Sequence, residues 1–90
     1  MKTNIYETTI HICCPFQPIW DYYVVRFESS AFMQCEKIEE CCDSVRGITE
    51  SQESVADLLY KSAVTAFGGV LFQLTVEGRH GANCKTTVKR

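Results

Sequence analysis

The sequence predicts an α+β fold in which two helices cover one face of a four-stranded antiparallel sheet, in the order β-β-α-α-β-β. Two observations carry this prediction: polar and apolar residues alternate toward both ends of the chain, and apolar residues recur at helical spacing in the middle. Ninety residues, 46% hydrophobic and 22% charged, are typical of one globular domain spanning residues 1–90. A domain of this size buries a modest share of its surface, so we expect it to gain stability by self-association.

The first two strands are predicted to form a hairpin. Residues 3–14 alternate, and residues 20–28 alternate again with many β-branched and aromatic side chains. Between them lies Pro15-Phe16-Gln17-Pro18, which cannot continue a strand ladder and predicts a turn. The side chains expected on the core face are Tyr6, Thr8, Ile10, Ile12, Cys14, Tyr23, Val25 and Phe27.

A first helix is predicted after the hairpin. Ser29 or Ser30 is a suitable N-cap, and Gly47 is expected to end the helix. Its expected apolar stripe is Ala31, Phe32, Cys35, Ile38, Cys42 and Val45. We therefore expect Cys35 and Cys42 to be core residues.

A second helix is predicted to begin at Thr49, with Gln52 completing a capping box, or at Ser51. Gly68-Gly69 is expected to end it. Its expected stripe is Val55, Leu58, Leu59, Ser62, Ala63, Ala66 and Phe67.

The last third of the chain alternates again and predicts two more strands, joined by a turn at Gly81 and Asn83. On the third strand, Val70, Phe72, Leu74 and Val76 are expected to share one face.

Because two helices cover one face of a four-stranded sheet, the other face is left open. This open face is predicted to be polar and of mixed charge. It is either solvated or lines the bore of a ring in which several copies join their sheets edge to edge. Its expected members are Glu7, Thr9, His11, Cys13, Tyr22, Arg26, Glu28, Gln73, Thr75, Glu77, Arg79, Lys85 and Lys89.

Charge and cysteine usage narrow the function classes. The net charge is −2 and the basic residues are scattered, which argues against nucleic acid as a partner. No apolar run is long enough to predict a signal peptide or a membrane span. With no export signal, the six cysteines indicate reduced thiols and a cytoplasmic protein rather than a disulfide framework.

The Cys14-Pro15 pair is followed by Asp21, seven residues after the cysteine. Together with the β-β-α-α-β-β order, this motif resembles the tunnelling fold and, within it, 7-cyano-7-deazaguanine (nitrile) reductase. The resemblance implies dimers or rings that hold a purine- or pterin-like ligand between subunits. It also implies that the Cys14 thiolate attacks a nitrile carbon and that Asp21 acts as the acid. The alternation predicts a competing interpretation, in which Cys14 is a buried core residue and Asp21 a turn residue.

A second segment, Val76 to Cys84, is similar to the strand of GTP cyclohydrolase I that ends in Glu-x-x-His before a zinc-binding cysteine. This likeness implies that Glu77 accepts hydrogen bonds from the N–H edge of the heterocycle. Glu28, Arg79 and His80 are the further candidate ligand-binding residues. The alternative for Glu77 is an ion pair across strands with Lys85 or Lys89.

The Cys-Glu-His-His element of the cyclohydrolase zinc site has no counterpart here, and neither has the lysine that the reductases use for nicotinamide phosphate. The sequence therefore predicts no metal site, identifies no cofactor and leaves open whether the chain is an enzyme. The other function class is a non-enzymatic protein-interaction module. Such a module would use the open face or the acidic first helix.

Overall fold

The computed structural model describes residues 2–80 and 83–90. Its elements are β1 (Asn4–Cys13), β2 (Trp20–Ser29), α1 (Cys35–Asp43), α2 (Gln52–Phe67), a 3₁₀ turn (Gly68–Val70), β3 (Leu71–His80) and β4 (Cys84–Lys89). The strands form one antiparallel sheet in the order β1-β2-β3-β4. The predicted fold class is thereby confirmed. Gly81, assigned to the last turn by its sequence, lies outside the described residues.

The core lies between the sheet and the two helices. On β1 and β2 the alternation places Ile10, Ile12 and Phe27 in this core, as predicted. The remaining buried hydrophobic residues are Tyr23, Val25, Met33, Ile38, Cys41, Cys42, Val45, Val55, Ala56, Leu59, Ala63, Leu71, Leu74, Val76 and Val88.

The start of α1 differs from the prediction. Ser29 ends β2 and donates its hydroxyl hydrogen bond to the Ala31 carbonyl at 2.6 Å, so it does not cap a helix. The chain stays irregular as far as Gln34, because the Met33 N–H donates to the Tyr6 hydroxyl at 3.0 Å. Met33 thus takes the core position expected of Ala31 and Phe32, both of which are exposed.

The two cysteines of α1 that are expected in the core differ in burial. Cys42 is fully buried, as predicted. Cys35 is exposed, because the late start of the helix places it at the first residue, ahead of the buried stripe of Ile38, Cys41 and Cys42.

Helix α2 begins and ends where two of the predicted signals lie. The Ser51 hydroxyl accepts the Ser54 N–H at 3.2 Å, so Ser51 is the N-cap, and Gly68 follows the last residue with φ 62°. Its buried stripe is narrower than expected, because only one edge of the helix faces the sheet. Leu58 and Ala66 are therefore exposed. The residues that α2 buries are Gln52, Val55, Ala56, Leu59 and Ala63.

The beginning of β3 corrects another prediction. Ser29 pairs with Leu71 while Glu28 pairs with Gln73, so a bulge interrupts the register at this end of β3. The bulge reverses the alternation there. Leu71 is consequently buried and Phe72 exposed, the opposite of the strict alternation expected from the sequence.

Candidate functional site

The turn of the β1–β2 hairpin, the start of α2 and the end of β3 meet around a cavity of about 170 Å³. This cavity, called the Cys14 cavity below, is lined by Cys14, Pro15, Phe16, Asp21, Tyr23, Glu50, Ser51, Gln52 and His80. A second hollow of about 220 Å³, which shares Cys14, Phe16, Asp21 and His80, lies beside it. Three of the six candidate residues, Cys14, Asp21 and His80, are thus brought together.

Cys14 follows the last residue of β1 and opens the turn. Its N–H donates to the Ile19 carbonyl at 2.9 Å, which closes the loop between the two strands. The residue is half-buried, whereas Phe16 at the rim of the cavity is 86% exposed. Cys14 is therefore partly accessible, which a nucleophilic cysteine requires and a sealed core position would not allow.

The segment between the helices brings Glu50 to the cavity. The Gly47 N–H donates to the His11 carbonyl at 2.8 Å, and the Cys13 N–H donates to the Ile48 carbonyl at 2.9 Å. Gly47 has φ 82°, a conformation that glycine adopts without strain. These bonds attach residues 47–49 to the edge of β1, so the next residue along the chain lies beside Cys14.

Tyr23 closes the cavity from the core side. Burial, the Asp21 charge, the Cys14 charge and a hydrogen bond with Asp21 together raise its pKa to about 12. The phenol therefore stays protonated at neutral pH and can donate a hydrogen bond to Asp21. Tyr23 and Asp21 thus line the cavity together with Cys14.

Gln52 connects the cavity to the sheet. Its Nε2 donates to the carbonyls of Val76 and Thr86, each at 3.0 Å. Its Oε1 lies 2.8 Å from Nε2 of His80. The first residue of α2 thus holds both the paired strands β3 and β4 and the histidine that ends β3.

Glu77, Glu28 and Arg79 lie on the open face, as predicted, and do not line the Cys14 cavity. Glu77 Oε1 lies 2.7 Å from Lys85 Nζ, so the expected cross-strand ion pair is present. The hydrogen bond and charge of Lys85, then the Arg26 charge and a bond from Thr87, hold the pKa of Glu77 below its usual range.

Two shallow depressions on the open face contain these residues. One of about 460 Å³ includes Glu77 and Arg79 together with Asp21, which therefore lines both this depression and the Cys14 cavity. The other, of about 510 Å³, includes Glu28 and Glu77. Asp21 is the structural link between the two groups of candidate residues.

Several residues that line the cavity are not among the site residues that the sequence predicts. Of these, Tyr23 is predicted only as a core residue, Gln52 only as part of a capping box, and Glu50 has no predicted role. The signal for Gln52 is its spacing: it precedes Val55 and Ala56 by three and four residues, so a polar amide occupies a buried helical position. Glu50 carries no comparable signal, because residues such as Cys14 and His80, which line the cavity with it, are distant from it in the sequence.

Within residues 2–80 and 83–90, no group of three or more His, Cys, Asp or Glu side chains is arranged to hold a metal ion. Over the same residues, no helix is long and apolar enough to cross a membrane.

A four-stranded antiparallel sheet with two helices on one face, in the order β-β-α-α-β-β, defines this chain as a protein with the tunnelling fold. The chain is similar to a solved structure, the crystal structure of the archaeosine synthase QueF-Like in the apo form. The TM-score is 0.78 at 20% sequence identity, over 97% of this chain and 91% of that chain. No protein-family model and no curated protein sequence matches the chain. The likeness establishes the fold and confirms the tunnelling-fold resemblance.

Proposed function

We propose that the chain binds a purine- or pterin-like heterocycle at the Cys14 cavity and that the Cys14 thiol attacks an electrophilic carbon on that ligand. The observation that carries this proposal is the shared cavity of Cys14, Asp21 and Glu50. It combines a nucleophile, an acid and a carboxylate at the end of the hairpin. The similar fold of a protein named archaeosine synthase supports the same class of ligand.

A nitrile carbon is the electrophile that the Cys14-Pro15…Asp21 motif favours. The sulfur of Cys14 forms a bond to the carbon, one C–N π bond breaks, and the nitrogen takes a proton from Asp21. The thiol proton passes from sulfur to a base of the cavity, so the site takes up one proton for the one that it gives, and the product is a thioimidate that contains every atom of the ligand. This addition needs no oxidant or reductant.

A carboxylate is the group suited to orient the ligand, since it accepts two parallel hydrogen bonds from the N–H edge of a guanine- or pterin-like ring. Glu50 lines the Cys14 cavity, whereas Glu77 is engaged by Lys85 on the open face. We therefore assign the anchor to Glu50. Glu77, the anchor expected from the sequence, is the competing assignment that the same experiment tests.

The test is mass spectrometry with 7-cyano-7-deazaguanine as probe. Under denaturing conditions we expect the wild-type chain to gain the full mass of the probe. Cys14→Ser should not gain this mass. Cys35→Ser, which removes an exposed cysteine of α1, should gain it as the wild-type chain does. Under native conditions, Glu50→Gln should weaken non-covalent binding about tenfold or more, because one charge-assisted pair contributes about 1.5–3 kcal/mol.

Other results would count against specific parts of the proposal. Loss of binding in Glu77→Gln but not in Glu50→Gln would move the anchor to the open face. A probe adduct that persists in Cys14→Ser would remove the nucleophile. Absence of any binding to the wild-type chain would overturn the proposed function.

Self-association into a dimer or ring is part of the proposal, and the same native spectra measure it. Strands β1 and β4 are the two edges of the sheet. Residues 46–48 occupy part of the β1 edge, through the Arg46 side chain on the Thr9 carbonyl at 2.9 Å and the two backbone bonds described above. Among the described elements none pairs with the outer side of β4, which leaves that edge for a second copy.

A protein-interaction module is the second candidate function. The observation that favours it is a set of exposed aromatic rings around the hairpin turn, where Phe16, Trp20 and Tyr22 are all more than half exposed. A chain that stays monomeric and binds no heterocycle would support this alternative.

A further inference from the structure

The contacts of Gln52 determine which end of its amide faces which partner. The residue is buried, and two main-chain carbonyls, Val76 O and Thr86 O, lie 3.0 Å from one end of the amide. Carbonyl oxygens only accept hydrogen bonds, so that end is the NH₂ group, and both of its hydrogens are used. The other end is an oxygen that can only accept, and it faces His80 Nε2 at 2.8 Å.

His80 Nε2 must therefore carry a hydrogen. A neutral imidazole has one protonated nitrogen, so Nδ1 of His80 keeps its lone pair. The ring is half-buried and lines the same two hollows as Cys14 and Asp21. The imidazole that carries this lone pair thus lines a cavity that a thiol residue also lines.

We propose that His80 Nδ1 is the proton acceptor for the Cys14 thiol and that Gln52 is the positioning residue that keeps His80 in the required tautomer. In this step the S–H bond breaks and an Nδ1–H bond forms, leaving a thiolate beside an imidazolium. Gln52 Oε1 accepts the Nε2–H before and after the transfer, so the contact does not have to rearrange. The inference rests on the proposed function, because it assigns the base for that nucleophile.

The lining of the cavity suits this assignment. Among the described residues that line it, His80 alone carries an amine or imidazole nitrogen. The Tyr23 ring lies beside His80 as well, with centroids 6.1 Å apart. No second histidine competes for the role, because His11 pairs with Tyr22 on β2 and does not line the cavity.

Nitrogen-15 NMR of the wild-type chain tests the tautomer. The chain has only two histidines, so the ring signals of His80 can be assigned against His11 as the internal reference. We expect neutral His80 to show a protonated Nε2 and an unprotonated Nδ1 as a single species. A protonated Nδ1, or a mixture of tautomers, would overturn the role of Gln52.

Alkylation with iodoacetamide, followed by peptide mapping, tests the base. At pH 7 we expect His80→Asn to slow alkylation of Cys14 at least about tenfold, since a positioned base contributes on the order of 10²–10⁴. The exposed Cys35 in the same chain should react at an unchanged rate. Gln52→Met should also slow the alkylation of Cys14, and its His80 should show a mixture of tautomers. If Gln52→Met does not fold, the NMR spectrum of the wild-type chain still tests the tautomer, and the alkylation rate of His80→Asn still tests the base.

Equal rates for Cys14 in the wild-type chain and in His80→Asn would overturn the base assignment. Iodoacetamide does not need the heterocycle site, so this failure is distinguishable from a failure of 7-cyano-7-deazaguanine to bind. Slowed alkylation in a chain that binds no heterocycle would support the thiol–imidazole pair and contradict only the proposed ligand.

Discussion

Tyr23 is the residue that joins the core to the candidate site. Its ring is 2% exposed and packs in the core, while its hydroxyl interacts with Asp21 at the cavity. Across the sheet it pairs with Gly78 of β3. A β-carbon at Gly78 would overlap the Tyr23 ring, so the glycine is required there by close approach and not by backbone conformation.

We predict that Gly78→Ala destabilises the chain by about 1–3 kcal/mol, the usual cost of overpacking a core. The Tyr23 ring must move to admit the methyl group, and the Cys14 cavity should change with it. Urea denaturation followed by circular dichroism measures the change. Gly69→Ala is the matched control, since nothing lies within 4 Å of a β-carbon at that position. Equal midpoints for the two variants would contradict the packing argument.

At the scale of elements, the beginning of α2 contributes three consecutive residues to the lining of the Cys14 cavity. Glu50 precedes the helix, Ser51 caps it, and Gln52 is its first residue. The cap orients the first turn, and that turn places the Gln52 amide between the strands β3 and β4 and His80. The stability of this one helix terminus and the geometry of the cavity are therefore coupled.

Ser51→Ala should lower the free energy of unfolding by about 1 kcal/mol, because it removes the acceptor of the Ser54 N–H. Ser62→Ala, in the middle of the same helix, should change stability little, since alanine is the better helix former. Thermal denaturation of both variants compares them directly. A loss in Ser62→Ala as large as that in Ser51→Ala would show that capping is not the cause.

The connections between elements explain why local signals misplaced α1. Arg46 lies after α1 and joins it to β1: its guanidinium lies 2.8 Å from Glu39 and 2.6 Å from Asp43 and also donates to the Thr9 carbonyl. At the other end, the Tyr6 hydroxyl holds the Met33 N–H. The serines at 29 and 30 are good caps by composition, but the Tyr6–Met33 bond and the pairing of Ser29 with Leu71 keep their segment out of the helix.

For the whole molecule, two buried acids make stability depend on pH in the alkaline range. Burial raises the pKa of the Cys42 thiol to about 12, from 9.0, with Glu39, Cys41 and Asp43 adding to the shift and Arg46 opposing it. Tyr23 is raised to about 12 from 10.0. Both groups keep their protons in the folded chain at pH values where the unfolded chain releases them.

The stability that these two groups contribute should therefore be complete below pH 9 and fall as the pH rises from 9 to about 12. Thermal unfolding as a function of pH measures this decline. The melting temperature of Tyr23→Phe should fall less steeply than that of wild type between pH 10 and 12. Tyr60→Phe alters an exposed tyrosine of α2, and its melting temperature should follow that of wild type. A wild-type melting temperature that stays constant up to pH 12 would contradict the prediction.

The sequence by itself determined the elements, their order and most of the core. Alternation in β1 and β2, the Ser51 cap and the glycine that ends α2 are set by residues close together in the chain, so their pattern is readable without a structure. The same local signals placed Cys14 at the hairpin turn and Glu77 on the open face. The turn position of Asp21 is wrong, because Asp21 lies on β2 and pairs with Ile12 of β1.

Tertiary structure decided what these signals could not contain. Antiparallel pairing and helix packing bring His80, Glu50 and Gln52 to Cys14 across tens of residues, and no period in the sequence records such a meeting. The bulge at Ser29 opposite Leu71 and the Tyr6–Met33 bond are likewise long-range contacts that override local preference. Local periodicity therefore defines the fold, whereas the site depends on which distant residues the packed sheet and helices place around one cavity.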